Sequence, residues 1–306
     1  MKKSRIPTPR VDGDYVRVFR PGPGVYEGPA TGSFASRTLY DEWIPNDFTV
    51  LRTGGELHLF GITHPRPRGF VDDFNFGPDV HEAEWQLFHC MAKGDPFREG
   101  AFQELPKILT PGERPGERPE IWAPHVTRWE GCYYMIYSPG EMRYAFSDDL
   151  LSWRPGGTLF VGESDDARDP FLFQDGSGKL LMLYVVRDRI LCRESLDFFH
   201  WSAPWVFQES PWPGAAPESP FLLKRGGFYY LLWTVYDGRN GAYDNRTFVF
   251  ASDALDGFRG LAPCAMLPAH APEIVLDREG GTWLLSVRYP RNGVCAIRLI
   301  WEEQYA

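Results

Sequence analysis

Short apolar runs, each split by a turn that contains glycine or charged residues, recur along the whole chain. Five of these units begin with similar segments, which read DFTVL, APHVT, DPFLF, SPFLL and APEIV from residues 47, 123, 169, 219 and 271. Each segment is followed by a turn and a second apolar run: GGELHLF, EGCYYMIY, GSGKLLMLY, GGFYYLLW and GGTWLLSV. Val, Ile, Phe, Tyr and Leu dominate these runs, so each unit predicts a strand, a tight turn and a second strand.

A second signature follows in three units, where a serine ends a further strand and an aromatic residue closes a polar turn. It reads SDDLLSW from 147, SLDFFHW from 195 and SDALDGF from 252, and runs such as GTLFV and WVFQE come next. Each unit therefore holds about four strands, as a propeller blade does. We predict one all-β domain over residues 1–306, a five-bladed β-propeller of four-stranded antiparallel blades, with inner strands starting near 47, 123, 169, 219 and 271. The alternative is a β-sandwich or a two-domain β protein.

Composition narrows the classes of partner. The 306 residues are 43% hydrophobic and carry a formal net charge of -9. Without clustered Lys and Arg, binding to nucleic acid is not expected. The N-terminal MKKSRIPTPRVDGDYV has no apolar stretch, and no later run could span a bilayer, so the prediction is a cytoplasmic protein that does not bind membranes. The five cysteines have no metal-binding spacing, which predicts reduced thiols in the core.

Aligning the five segments on their second position, which is proline in four of them and Phe48 in the first, places polar residues in matching columns. The column before it holds Asp47, Ala123, Asp169, Ser219 and Ala271, and the column before that holds Asn46, Trp122, Arg168, Glu218 and His270. The column after it holds Thr49, His125, Phe171, Phe221 and Glu273. The innermost strand of each blade lines the central channel, so we expect these residues to converge at one channel mouth.

Three carboxylates in one concave pocket suit the cleavage of a glycosidic bond. One carboxylic acid protonates the leaving oxygen, and a second carboxylate activates water or attacks the anomeric carbon. A third nearby anion raises the pKa of the acid and keeps it protonated near neutral pH. Trp122 could supply an apolar platform for a sugar ring.

The motifs Asn46-Asp47, Arg168-Asp169-Pro170 and Glu218-Ser219-Pro220, with Trp122-Ala123-Pro124, resemble those of the five-bladed propeller glycoside hydrolases of family 43 and its relatives in families 32, 68 and 117. The resemblance implies that Asp47 is the general base or nucleophile and Glu218 the general acid. Asp169 would tune the pKa of the acid and hold a sugar hydroxyl.

The same resemblance extends to the residues around the trio. Arg168 is similar to the arginine of the family-32 Arg-Asp-Pro motif, and His270 to a fifth-blade channel histidine that binds water or a calcium-centred cluster. We predict no cofactor, with calcium or water near His270 left open. His125 stands where family 43 often has an acid, and Glu273 is an additional acid in the fifth blade. The predicted substrate-binding residues are Asn46, Trp122, His125, Arg168, His270, Glu273 and Arg288.

These residues predict an exo-acting glycosidase that acts on short oligosaccharides or small glycosides, with pentose or fructose units favoured by the resemblance alone. Two alternatives stay open. A glycosyl transferase or phosphorylase could use the same fold, with phosphate held by His125 and Arg168. A non-catalytic sugar-binding propeller would leave the three acids too far apart to cooperate.

Overall fold

The computed structural model describes residues 6–66, 80–109, 118, 120–238, 244–288 and 292–303. The regular secondary structure consists of strands, apart from a single 3-10 turn at His81–Ala83 among the described residues. In chain order the strands are β1 (Pro7–Phe19), β2 (Gly24–Tyr26), β3 (Thr38–Tyr40), β4 (Trp43–Thr53), β5 (Glu56–Pro65), β6 (Gln86–Lys93), β7 (Gln103–Ile108), β8 (Trp122–Trp129), β9 (Cys132–Ser138), β10 (Glu141–Ser147), β11 (Arg154–Val161), β12 (Arg168–Gln174), β13 (Leu180–Val186), β14 (Arg189–Ser195), β15 (Trp205–Glu209), β16 (Ala216–Arg225), β17 (Phe228–Tyr236), β18 (Thr247–Ser252), β19 (Ala265–Leu267), β20 (His270–Leu276), β21 (Thr282–Val287) and β22 (Val294–Glu303).

Five four-stranded antiparallel sheets form the blades, which confirms the predicted propeller. From the inner to the outer strand, blades I to IV are β4–β7, β8–β11, β12–β15 and β16–β19. Blade V is β20, β21, β22 and β1. The inner strands β4, β8, β12, β16 and β20 contact one another in sequence, and β20 contacts β4 to complete the ring.

The outer strand of blade V comes from the N-terminal end of the chain. Strand β1 pairs antiparallel with β22, with Val11 opposite Leu299, so both ends of the chain share one blade. The sequence reading did not predict this strand, because its prolines and Gly13 interrupt a strand pattern. Proline is tolerated here because an outer strand needs ladder hydrogen bonds on one side only.

The apolar core lies between neighbouring blades. Val18 and Phe19 of β1 pack with residues of blades V and I, and the Phe19 and Phe88 rings lie 5.2 Å apart. All five cysteines are unpaired, and Cys90, Cys192 and Cys295 are buried. Among the described residues, no helix is long and apolar enough to cross a membrane.

Every inner strand begins with a β-bulge, and these bulges shape the site. In blades II to V the antiparallel register shifts between the same two columns, for example between Arg168 and Phe171. In blade I it shifts one residue earlier, between Pro45 and Phe48. The residue before the proline is left-handed in four blades, with φ values of 36° at Ala123, 56° at Asp169, 48° at Ser219 and 49° at Ala271. A bulge interrupts the alternation of a strand, so consecutive residues such as Arg168 and Asp169 can both face one cavity.

The segment between β1 and β4 supports the wall of this cavity. Strands β2 and β3 form a small hairpin whose aromatic residues pack with β4 and with the 3-10 turn. Tyr26, Phe34, Tyr40 and Trp43 enclose Ala83 in this cluster. The turn that carries His81 and Glu84 is thereby fixed against blade I.

Candidate active site

The starts of the inner strands surround a cavity of about 390 Å³ at one mouth of the channel. The structure brings the three predicted carboxylates, Asp47, Asp169 and Glu218, into this one cavity. The remaining lining residues come from all five blades and are Asn46, Ile62, His81, Glu84, Trp122, Asp166, Arg168, Arg187, Ala216, Tyr236 and His270. Each inner strand therefore supplies at least one lining side chain, as the column alignment predicts.

A floor separates this cavity from the channel beneath it. The residues before the proline form the floor, and Asp47 and Asp169 line both the cavity and the channel. The pocket in the channel has a volume of only about 30 Å³, which leaves room for a water molecule or two but not for a sugar ring.

Asp47 is held as a carboxylate by its neighbours. The Ser219 hydroxyl donates a hydrogen bond of 2.6 Å to Asp47 Oδ1, and His270 Nε2 lies 3.5 Å from the same oxygen. Burial alone would raise the pKa of Asp47, but His270, Ser219 and Arg168 together hold it below its ordinary value. The Asp47 carboxylate is therefore available as a base or nucleophile at neutral pH.

His270 is held as an imidazolium because both of its ring nitrogens face acceptors. Nδ1 lies 2.8 Å from the Asp244 carbonyl oxygen, and Nε2 lies 3.2 Å from Asn46 Oδ1 in addition to its contact with Asp47. Burial lowers the pKa of His270, but the hydrogen bond and charge of Asp47 outweigh it and raise the pKa to about 9. No cluster of three or more His, Cys, Asp or Glu that could hold a metal ion occurs in the described part of the chain.

Arg168 links the acids of blades III and IV. Its guanidinium lies 3.7 Å from Asp169 Oδ2, 3.6 Å from Glu218 Oε1 and 3.6 Å from Asp166 Oδ2. Burial, opposed by the charge of Arg168, raises the pKa of Asp169 to about 6, and the charge of Asp47 adds to the rise. Asp169 also accepts a 3.0 Å hydrogen bond from the Ser219 N–H.

Glu218 has the opposite protonation preference to Asp47. Burial is the main cause that raises its pKa to about 8. Arg168 and His270 lower the pKa, whereas Asp47 and Asp169 raise it by like-charge repulsion. Glu218 is therefore mostly protonated at neutral pH and can donate a proton into the cavity.

The sequence reading missed several residues of the cavity wall. His81 and Glu84 on the 3-10 turn form a 3.0 Å contact between Nδ1 and Oε2, and the His81 ring lies 5.4 Å from Trp122. The charge of Glu84 raises the pKa of His81. Tyr236 and Arg187 line the cavity from the ends of the second strands of blades IV and III. The residues of the turn lie outside the repeated segments, so the repeat alignment could not predict them. The polar run HEAEW from residue 81 is the only signal for this turn in the sequence.

Three predicted substrate-binding residues do not line this cavity. His125 and Glu273 lie in the channel beneath the floor, where His125 packs edge-on against Phe171 with ring centroids 4.9 Å apart. Burial lowers the pKa of His125 to about 4 and raises that of Glu273 well above its ordinary value, so both are neutral. The residue after the proline follows the bulge and points below the floor. Arg288 turns outward, with a hydrogen bond of 2.6 Å to the Pro268 carbonyl and its guanidinium over Tyr15.

No family model matches this chain, and no curated protein sequence matches it. The fold of the chain does match solved structures. A thermostable family-43 glycoside hydrolase is 14% identical with a TM-score of 0.61, covering 86% of this chain and 94% of that one. An exo-1,5-α-L-arabinanase from a bovine ruminal metagenomic library is 17% identical with a TM-score of 0.61, covering 84% and 92%.

A family-32 β-fructofuranosidase from Bombyx mori is 17% identical with a TM-score of 0.56, covering 84% of this chain and 58% of that one. At these identities the likeness concerns the arrangement of the backbone. The chain therefore shares the five-bladed propeller fold of family-43 and family-32 glycoside hydrolases, as its motifs predict.

Proposed function

We propose that this protein is a glycoside hydrolase. The observation that carries the proposal is the pairing, within one cavity, of an ionised carboxylate, Asp47, with a protonated carboxylic acid, Glu218. Glycosidic cleavage requires one carboxyl group in each of these states. The fold shared with known glycoside hydrolases supports the same conclusion.

In the proposed mechanism, Glu218 donates its proton to the leaving oxygen as the bond to the anomeric carbon breaks. Asp47 either takes a proton from the attacking water or attacks the anomeric carbon itself. Asp169 raises the pKa of Glu218 and Arg168 lowers it, and both side chains offer hydrogen bonds to sugar hydroxyls. Trp122 and Tyr236 provide aromatic surface in the wall of the cavity.

The proposed substrate is a short oligosaccharide or small glycoside from which a terminal unit is removed. The fold shared with an exo-1,5-α-L-arabinanase supports exo action. Pentose and fructose units are the first candidates, since the structural neighbours include an arabinanase and a fructofuranosidase.

A panel of aryl glycosides tests the proposal, with arabinofuranosides, xylosides, fructosides, galactosides and mannosides as substrates. Glu218→Gln should lose about 10²–10⁴-fold in kcat on substrates with poor leaving groups and far less on activated ones, because an activated leaving group needs no proton. Asp47→Asn should lose activity on both kinds of substrate. Asp165→Asn, an exposed neighbouring carboxylate outside the cavity, is the charge-matched control and should keep full activity.

Equal activity of Glu218→Gln and the parent on every substrate would exclude Glu218 as the acid. A turnover that depends on added phosphate would instead favour a phosphorylase. Because the pKa of Glu218 is about 8, activity of the parent should decline as the pH rises through that value and the acid loses its proton.

A further inference from the structure

Ser219 contacts two of the three carboxylates, each through a different group. Its hydroxyl donates a 2.6 Å hydrogen bond to Asp47 Oδ1 of blade I, and its main-chain N–H donates a 3.0 Å hydrogen bond to Asp169 Oδ2 of blade III. Ser219 itself belongs to blade IV and directly follows Glu218 in the chain. One residue thus connects three blades at the floor of the cavity.

The bulge of β16 makes the N–H of Ser219 available. Register pairs stop at Glu218 and resume at Phe221, so Ser219 has no partner across the β16–β17 ladder. Its left-handed conformation, with φ at 48°, departs from a normal strand and costs free energy for a residue that is not glycine. The gain from binding an ionised carboxylate offsets such a cost, since hydrogen bonds to charged groups are stronger than neutral ones.

The fold does not require a hydroxyl at this position. Ala123 and Ala271 occupy the same column in blades II and V with similar left-handed conformations, at φ values of 36° and 49°. An alanine therefore fits the bulge without any polar side-chain atom. The hydroxyl of Ser219 differs from these methyl groups in that it reaches a carboxylate of the cavity.

We propose that Ser219 is a positioning residue for the reaction, which fixes Asp47 relative to Asp169 through its hydroxyl and its N–H. This inference rests on the proposed function, in which Asp47 acts on water or on the anomeric carbon. Among the described residues, two side chains restrain Asp47 at short range, and without the hydroxyl it keeps only His270 of these two. The reactive carboxylate would then be misplaced while substrate binding in the rest of the cavity persists.

The test compares Ser219→Ala with Ser219→Gly. Both remove the hydroxyl and keep the N–H, but glycine relieves the left-handed strain and alanine does not. We expect kcat to fall by about 10- to 100-fold in both variants with KM nearly unchanged, on poor and activated leaving groups alike. Ser219→Gly should be the more stable of the two in urea. A kcat that follows stability and recovers in Ser219→Gly would assign Ser219 a purely structural role and overturn the proposal.

A double-mutant cycle gives a readout that needs no activity. The urea midpoints of the parent, Ser219→Ala, Asp47→Ala and the double variant should be non-additive, because both single changes remove the same hydrogen bond. Additive midpoints would overturn the contact itself. If the parent cleaves no glycoside, the cycle still decides whether Ser219 holds Asp47, so failure of the proposed function and failure of this inference are distinguishable.

Discussion

Asp47 and Glu218 lie in the same cavity but differ in protonation because their immediate partners differ. Asp47 faces an imidazolium and a hydroxyl donor, both of which stabilise a carboxylate. Glu218 has Arg168 at 3.6 Å, which lowers its pKa, but burial raises that pKa more strongly and the two neighbouring acids add to the rise. Asp47 is therefore kept ionised by partners from blades IV and V, which lie far from it in the sequence, whereas Glu218 is kept protonated mainly by burial.

Replacing Glu218 by glutamine should change how stability depends on pH. The pKa of Glu218 is raised to about 8 in the folded protein, so between pH 4.5 and 8 the unfolded chain ionises this group and the folded one does not. The Glu218 contribution to the free energy of unfolding should therefore fall as pH rises through this window, by about 1.4 kcal/mol for each pH unit. Glu218→Gln should lack this loss and be the more stable protein at pH 7–8.

Urea denaturation of both proteins at pH 5, 6, 7 and 8 measures this difference directly. Asp165→Asn is again the charge-matched control. A stability difference between Glu218→Gln and the parent that stays constant over this range would contradict the raised pKa and, with it, the assignment of Glu218 as a protonated acid.

At the scale of the strands, the bulges of the inner strands explain which site residues could be predicted from the sequence. The repeat alignment predicted that Asp47, Asp169 and Glu218 converge, and all three line the cavity because their columns precede the proline and lie at or above the floor. The rule that side chains alternate along a strand fails at a bulge, so the column of His125 and Glu273 falls into the channel. No pattern in one sequence reveals such a bulge in advance.

The closing strand β1 should contribute strongly to stability through Phe19. This ring is 3% exposed and packs on Phe88 between blades V and I. Phe19→Ala should lower the free energy of unfolding by about 3–5 kcal/mol, since it leaves a cavity where the ring closes. Leu276→Ala, which truncates a side chain that is 54% exposed, is the control. Equal urea midpoints for the two variants would show that β1 adds little to ring closure.

At the scale of the whole molecule, five similar units predicted five blades, but not how the ring is joined. The inner hairpins are encoded locally, by strand-forming residues around short turns. Closure depends on pairing between residues almost 290 positions apart, such as Val11 and Leu299. The cavity wall at His81 and Glu84 likewise depends on packing against the distant hairpin of β2 and β3.

The proposed exo action predicts how a chain of sugars is shortened. A terminal unit would enter the cavity above the floor and reach Asp47 and Glu218, so products should be released one unit at a time. The measurement is a time course with an end-labelled oligosaccharide of whichever sugar the aryl glycoside panel selects. We expect an early ladder of products that each differ by one unit, and no release of dye from a cross-linked polysaccharide of the same sugar. Early accumulation of mid-length fragments would show endo action and would require a cleft that is open at both ends.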